Sequence, residues 1–241
     1  MEKQQFANDL VCQLAARFRV MTLGGVAVIE HGMSRNTHDL DVWLDPMESA
    51  GVWSSALWLA LAESPGLGVL DIGSFSPVKE DEFLEVIEHD GVVRISGLDR
   101  PLDIFRRPNE MEISDFEAVW NRAAPQADGT RLPDVVDLLV TKQDTGRAKD
   151  TYDIQFLEGK AEEMYLNRLP KAPAEAAWEM LSRFMNPKVA EAAARHADPQ
   201  VRETGLKFLR ESAAEGDPFS RDLLAEFERQ KLEVDPSSGN P

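Results

Sequence analysis

The stretch HDLDVWL sets Asp39 and Asp41 two residues apart, alternating with Leu40, Val42 and Leu44. In an extended strand alternate side chains share a face, so the two carboxylates project together, a few ångströms apart. Like charges held that close repel, which raises one pKa or recruits a cation. On a sheet edge facing water the pair is a solvated acidic face. Where a third carboxylate converges on it, the three make a hard-oxygen site suited to Mg²⁺, which takes a few carboxylates and the phosphates of its substrate. Asp103, in PLDIF, has the same apolar–Asp–apolar setting and is the obvious third member. Thirteen residues separate Asp39 from an upstream pair, Gly24-Gly25. Glycines let the backbone approach a ligand closely, and the N–H groups of a following helix start favour phosphate oxygens.

These residues need elements to hold them. Phe6, Leu10, Leu14 and Phe18 recur every fourth residue, the mark of an amphipathic first helix. RVMTL (19–23) reads as a short strand ended by the glycine pair, and residues 26–30 as a short helix stopping near Gly32. HDLDVWL (38–44) reads as a half-buried strand with one apolar face, and 47–63 as an apolar helix. A Gly-, Ser- and Pro-rich loop (65–78) leads to a strand near Phe83–Glu88, with Asp90-Gly91 as a hairpin signal before VVRISGL (92–98). PLDIFRR (101–107) alternates again, and the β-rich part stops near Pro108. Residues 132–160 give two helices that break or bend near Gly146, with Pro133 in the first turn. Three or four short helices over 173–231 are punctuated by Asn186-Pro187, Asp198-Pro199 and Asp217-Pro218. DPQVRETGLKFL resembles one helix of a HEAT-type repeat, but a lone copy reads as a generic helical hairpin. The expected class is α+β: a small mixed sheet flanked by helices over 1–108, a helical segment over 109–165, a helical C-terminal region over 166–232 and a disordered tail at 233–241.

Charge limits the partners. The net charge is −17, with 14 Lys and Arg against 28 Asp and Glu in residues 1–159 and 12 against 15 thereafter. A protein gripping long stretches of duplex is normally basic, so extended DNA binding is not expected. Apolar residues make up 43%, enough for a core, and no apolar run approaches the length of a membrane span. Cys12 is the only cysteine, which excludes a disulfide framework and a thiolate cluster. A cytoplasmic protein is the expectation. His31 reads equally as a packed or a ligand-facing histidine, and His89 and His196 as surface residues. No zinc spacing and no nucleophile elbow occurs.

The order Gly-Gly, strand, Asp-x-Asp, later Asp resembles the nucleotidyltransferase superfamily of the DNA polymerase β type. The text LGG.A....HG.SR.THDLDVWLD is most similar to the AbiE-type (AbiEii-like) branch found in bacterial toxin–antitoxin operons. His31, Arg35 and Thr37 occupy that branch's places between the glycines and the aspartates. Its helical pattern D-L-x-x-x-K, then G-R-x-K-D-x-x-D, is matched by Asp137, Leu138 and Lys142, then Gly146, Arg147, Lys149, Asp150 and Asp153. The resemblance spans roughly residues 20–160.

It implies a two-metal transfer of a nucleoside monophosphate from an NTP to an acceptor hydroxyl. Asp39, Asp41 and Asp103 are then the catalytic and metal ligands for two Mg²⁺. Gly24, Gly25, Ser34, Arg35, Thr37, Lys142, Arg147 and Lys149 are the nucleotide-side residues. The implied acceptor is a tRNA 3′ end or a hydroxyl of a partner protein, reached through a local patch of Arg106, Arg107, Arg147 and Lys149. A cognate toxin or antitoxin protein is the implied partner. Two other readings compete: a catalytically idle module docking a cognate protein, and an antibiotic nucleotidyltransferase. Each basic residue also has a plain reading. Lys142 snorkels over the sheet, and Arg147, Lys149, Asp150 and Asp153 form a salt-bridged helix surface.

Overall fold

The computed structural model describes residues 5–143 and 147–234. The chain is α+β and divides into two compact units, residues 1–157 and 158–241.

The first unit is built on one mixed sheet. Helix α1 (Ala7–Ala15) precedes β1 (Val20–Leu23), α2 (Gly24–Glu30), β2 (Leu40–Leu44), α3 (Ala50–Ala62) and β3 (Gly68–Leu70). Then come α4 (Phe83–Asp90), β4 (Val92–Ser96), β5 (Leu102–Phe105), α5 (Asp115–Arg122), β6 (Ala124–Pro125), β7 (Arg131–Leu132) and α6 (Val135–Val140). The strand order is β3-β4-β5-β2-β1-β7-β6. β2 runs antiparallel to β1 and parallel to β5, while β4 is antiparallel to β5.

One sheet face carries Val20, Leu40, Val42, Leu44, Val93, Ile95, Leu102 and Ile104, and α1, α3 and α4 close over it with Leu10, Leu14, Trp53, Leu57, Phe83 and Ile87. Each of these large side chains contributes roughly 1.5–3 kcal/mol by leaving water. Ser49 starts α3 by accepting the Val52 amide. The opposite face differs along its length. Trp43 is fully buried there, edge-on to Phe116 of α5 with ring centroids 5.1 Å apart, and its Nε1 donates to the Arg106 carbonyl. β2 is therefore covered on both faces along much of its length, and the expected single apolar face is corrected. A central strand packs on both sides.

Other expectations are corrected too. Phe83–Glu88 lies in a helix, because Phe83 and Ile87, one turn apart, both enter the core. Gly91 does not close a hairpin. It ends α4 in the left-handed region, φ +69°, where a side chain is disfavoured. The β part does not stop at Pro108, since β6 and β7 pair at the far edge of the sheet. Pro133 precedes the cap residue Asp134, whose side chain accepts the Asp137 amide, so it lies outside the first turn. Gly146 and residues 235–241 lie outside the described residues.

Along the chain, α7 (Ala148–Arg168) runs past the boundary between the units and a single 3-10 turn follows. The second unit continues with α8 (Ala174–Arg183), α9 (Pro187–Ala194), α10 (Pro199–Ala214) and α11 (Pro218–Val234). The Asn-Pro and Asp-Pro punctuation starts helices. Asn186, Asp198 and Asp217 each accept amides of the following turn, and the next proline needs no N–H there. Where α9 meets α10, a Cβ on Gly205 would overlap the Ala190 carbonyl and the Ala194 amide, so the two backbones touch. Ala190, Ala194, Leu209 and Leu223 form the core beside them. His196, expected at the surface, is buried: Nε2 meets the Ala172 carbonyl and Nδ1 accepts the Asp198 amide. His89 is exposed, and its hydrogen bond to Asp90 raises its pKa.

Candidate functional site

Register assembles the site. Leu23 of β1 lies opposite Asp41 of β2, Asp41 beside Asp103 of β5, and Asp103 opposite Arg94 of β4. These four residues form one row across four strands, so their side chains emerge on one face at neighbouring positions. Asp39, one residue before β2, lines the same cleft of about 440 Å³ as Asp41, Asp103 and Arg94.

Arg94 grips Asp103 with both arms, Nε to Oδ1 and Nη2 to Oδ2, each 2.7 Å. Asp103 is 4% exposed, so its charge is balanced locally. The hydrogen bonds to Asp103 foremost, followed by the charges of Asp103, Asp39 and Asp41, raise the pKa of Arg94 against the opposing pull of burial. Sequence reasoning missed Arg94. In VVRIS it looks like an outward residue on an ordinary strand, and only the pairing of β4 with β5 reveals its partner.

The glycine pair is explained by its neighbours. Gly24 has φ +59°, and a Cβ there would overlap the carboxylate of Asp41. A Cβ on Gly25 would overlap Arg35 Nη2 and the Thr37 hydroxyl. Both glycines therefore make room for the site's own side chains. Gly24 lines the cleft, whereas Gly25 is buried. Thr37 Oγ1 donates to Asp39 Oδ1 at 2.9 Å. Ser34 is exposed and does not line the cleft. His31 Nε2 meets the Pro133 carbonyl at 2.9 Å, a packing role that ties the end of α2 to the approach of α6.

On the cationic side two carboxylates of α7 gather three cations. Asp150 and Asp153 are 1% and 0% exposed. Arg147 Nε lies 2.7 Å from Asp150 Oδ2, and Lys142 Nζ 3.5 Å from Asp150 Oδ1 and 3.3 Å from Asp153 Oδ2. Arg35 Nη1 is 2.9 Å from Asp153 Oδ1. The two acids are thus a buried anchor and not a salt-bridged helix surface. Lys142 and Arg147 line the cleft. The side chain of Lys149 lies outside the described residues. Arg106 turns away to the Pro46 carbonyl, and Arg107 is exposed.

Ile72, Phe105 and Pro108 give the cleft an apolar wall. Next to it the turn Asp71–Ser76 carries Phe75 at φ +56°, a conformation costing a bulky residue roughly 1–2 kcal/mol. The turn is held closed: Phe75 N donates to the Asp71 carbonyl at 2.9 Å and Asp71 N to the Ser76 carbonyl at 3.0 Å. Ser74, by hydroxyl and amide, holds the Asp71 carboxylate below its usual pKa. Phe75 is 58% exposed, and the Arg94 guanidinium lies 5.4 Å from its ring centroid.

Can these residues hold Mg²⁺? Among the described residues no three His, Cys, Asp or Glu side chains stand as a ready metal cage. Mg²⁺ keeps several waters and needs only one or two carboxylates plus substrate phosphates. Asp39 and Asp41, both lining the cleft, meet that requirement, while Asp103 gives both oxygens to Arg94. The donor set fits a hard cation carried in with a phosphate ligand.

No family model matches this chain, and no curated protein matches it. Among the described residues no helix is long and apolar enough to cross a membrane.

Proposed function

We propose that the chain is a Mg²⁺-dependent nucleotidyltransferase that moves a nucleoside monophosphate from an NTP to an acceptor hydroxyl. The observation carrying this reading is the row of Asp41 beside Asp103, with Asp39 and Gly24 in the same cleft as Lys142 and Arg147. Carboxylates on one side and cations on the other suit a triphosphate, whose charge must be both attracted and positioned.

In the reaction the acceptor oxygen bonds to the α-phosphorus as that phosphorus parts from the oxygen bridging to the β-phosphate. Pyrophosphate leaves, and the hydroxyl proton passes to a carboxylate of the row and on to water. Asp39 and Asp41 would hold Mg²⁺. When bound, the ion neutralises phosphate charge and acidifies the acceptor hydroxyl. Lys142 and Arg147, braced by Asp150 and Asp153, offset the charge on the departing pyrophosphate. Gly24 leaves Asp41 its position beside the cleft. Arg94 holds Asp103 in the row through both carboxylate oxygens.

The finer assignment, an AbiEii-like enzyme of a cytoplasmic toxin–antitoxin or phage-defence pair acting on a tRNA 3′ end or a partner protein, rests on the three sequence motifs in order. The Arg94–Asp103 pair favours a second reading, a quiescent fold used as a docking module. Incubating the protein with each labelled NTP, Mg²⁺ and bulk tRNA or partner protein separates them. Label transfer that disappears in Asp41→Ala supports the enzyme. No transfer to any acceptor leaves the docking module.

A further inference from the structure

We infer that Phe75, on the turn beside the cleft, is a stacking platform for a nucleobase, a role that rests on the nucleotidyltransferase reading and adds to it.

The left-handed backbone at position 75 is one that glycine adopts freely and a phenylalanine resists. The chain nevertheless places an aromatic ring there and holds the turn shut through hydrogen bonds from Phe75, Asp71 and Ser74. Strain retained in a multiply bonded turn beside a cleft points to use of the displayed group. The ring is not spent on the core, because more than half of Phe75 is open to solvent. Its partner is Arg94, a member of the site row, so the ring sits at the site and not on a remote loop.

The neighbouring surface suits the same ligand. Ile72 belongs to the same turn and, with Phe105 and Pro108, lines the apolar wall of the cleft. A nucleotide has one apolar, planar end and one polyanionic end. The cleft presents Lys142 and Arg147 for the second and this wall for the first. An aromatic face holds any base, since every base has a π surface, and it does so without reading hydrogen-bond edges. The base belongs either to the NTP or to the terminal nucleotide of an RNA acceptor, and both offer the same chemistry to Phe75.

The test compares ligands with and without a base. Dissociation constants are measured with Mg²⁺ for an NTP against ribose 5′-triphosphate, and for a short RNA against the same RNA with an abasic 3′ nucleotide. In the wild type, one of these pairs is expected to differ by on the order of ten- to a hundredfold. Phe75→Gly, which fits the left-handed backbone and keeps the turn, is expected to bring that ratio close to one, and Phe75→Trp to restore it. Collapse in the first pair assigns the NTP base, and collapse in the second the acceptor base. A ratio unchanged in Phe75→Gly overturns the platform. If Asp41→Ala then still abolishes Mg²⁺-dependent NTP binding, the nucleotidyltransferase reading survives that failure. A wild type that binds neither base-bearing ligand overturns both.

Discussion

The two units treat charge in opposite ways. In the sheet-based unit Asp103, Asp137, Lys142, Asp150 and Asp153 are all buried, and each has an ion-pair partner. In the helical unit the buried polar side chains among the described residues are His196 and Ser220, and ion pairs such as Arg195–Glu191 and Lys188–Glu162 keep one foot in water. Burying a charge costs several kcal/mol even when it is paired, and an apolar replacement of the pair often does no worse. The helical unit avoids that cost by leaving its charges outside. The sheet unit holds its charges in place instead, and three of them, Asp103, Lys142 and Asp150, lie in or against the cleft that the proposed function uses.

This contrast can be broken by mutation. The largest effect is expected from Asp153→Ala, which takes the fully buried carboxylate from Arg35 and leaves the buried Lys142 with Asp150 alone. Urea denaturation should show a loss of about 3–5 kcal/mol, and a loss below about 1 kcal/mol would place Asp153 in the same class as the helical unit's pairs. Next, Asp41→Asn should slow nucleotidyl transfer by roughly 10²–10³-fold while leaving the urea midpoint unchanged or raised, because it removes one of several like charges. Gly24→Ala should cost about 2 kcal/mol in stability through its left-handed backbone and its overlap with Asp41. It should also cost transfer activity, so a stable, fully active variant would detach the glycine from the site. In the helical unit Glu191→Ala should change stability by less than about 1 kcal/mol.

The smallest effect concerns pH. The Ser220 hydroxyl and amide hold the Asp217 carboxylate below its usual pKa at the start of α11. A depressed carboxylate contributes stability that is complete above the unfolded pKa, near 4, and is lost as pH falls through the folded value. Denaturation of the wild type and Asp217→Asn should therefore differ by a constant amount above about pH 5 and converge below about pH 4.

Much of the site's scaffold is legible from local pattern. The alternation in HDLDVWL and PLDIF gives two strands, and the glycine pair marks the turn from strand to helix. What escaped depends on distant partners. Phe83–Glu88 carries apolar residues that satisfy either period, and only the α3 face opposite makes it a helix. β6 and β7, two residues each, are too short to show any period. The burial of Asp150 and Asp153 is invisible in G-R-x-K-D-x-x-D, since the same spacing suits a solvated helix. Arg94 is anonymous until β4 lies against β5, and the strained backbone of Phe75 leaves no trace in SFSP.

The row Leu23–Asp41–Asp103–Arg94 also has a kinetic consequence. Its parallel pair joins segments some sixty residues apart, and closing so long a loop costs more chain entropy than forming a local helix or hairpin. A one-residue slip of β5 would turn Asp103 into the apolar core and Leu102 towards the cleft. Partly folded or misregistered forms therefore lack the row, and the cleft is complete only once β2 and β5 are paired in register.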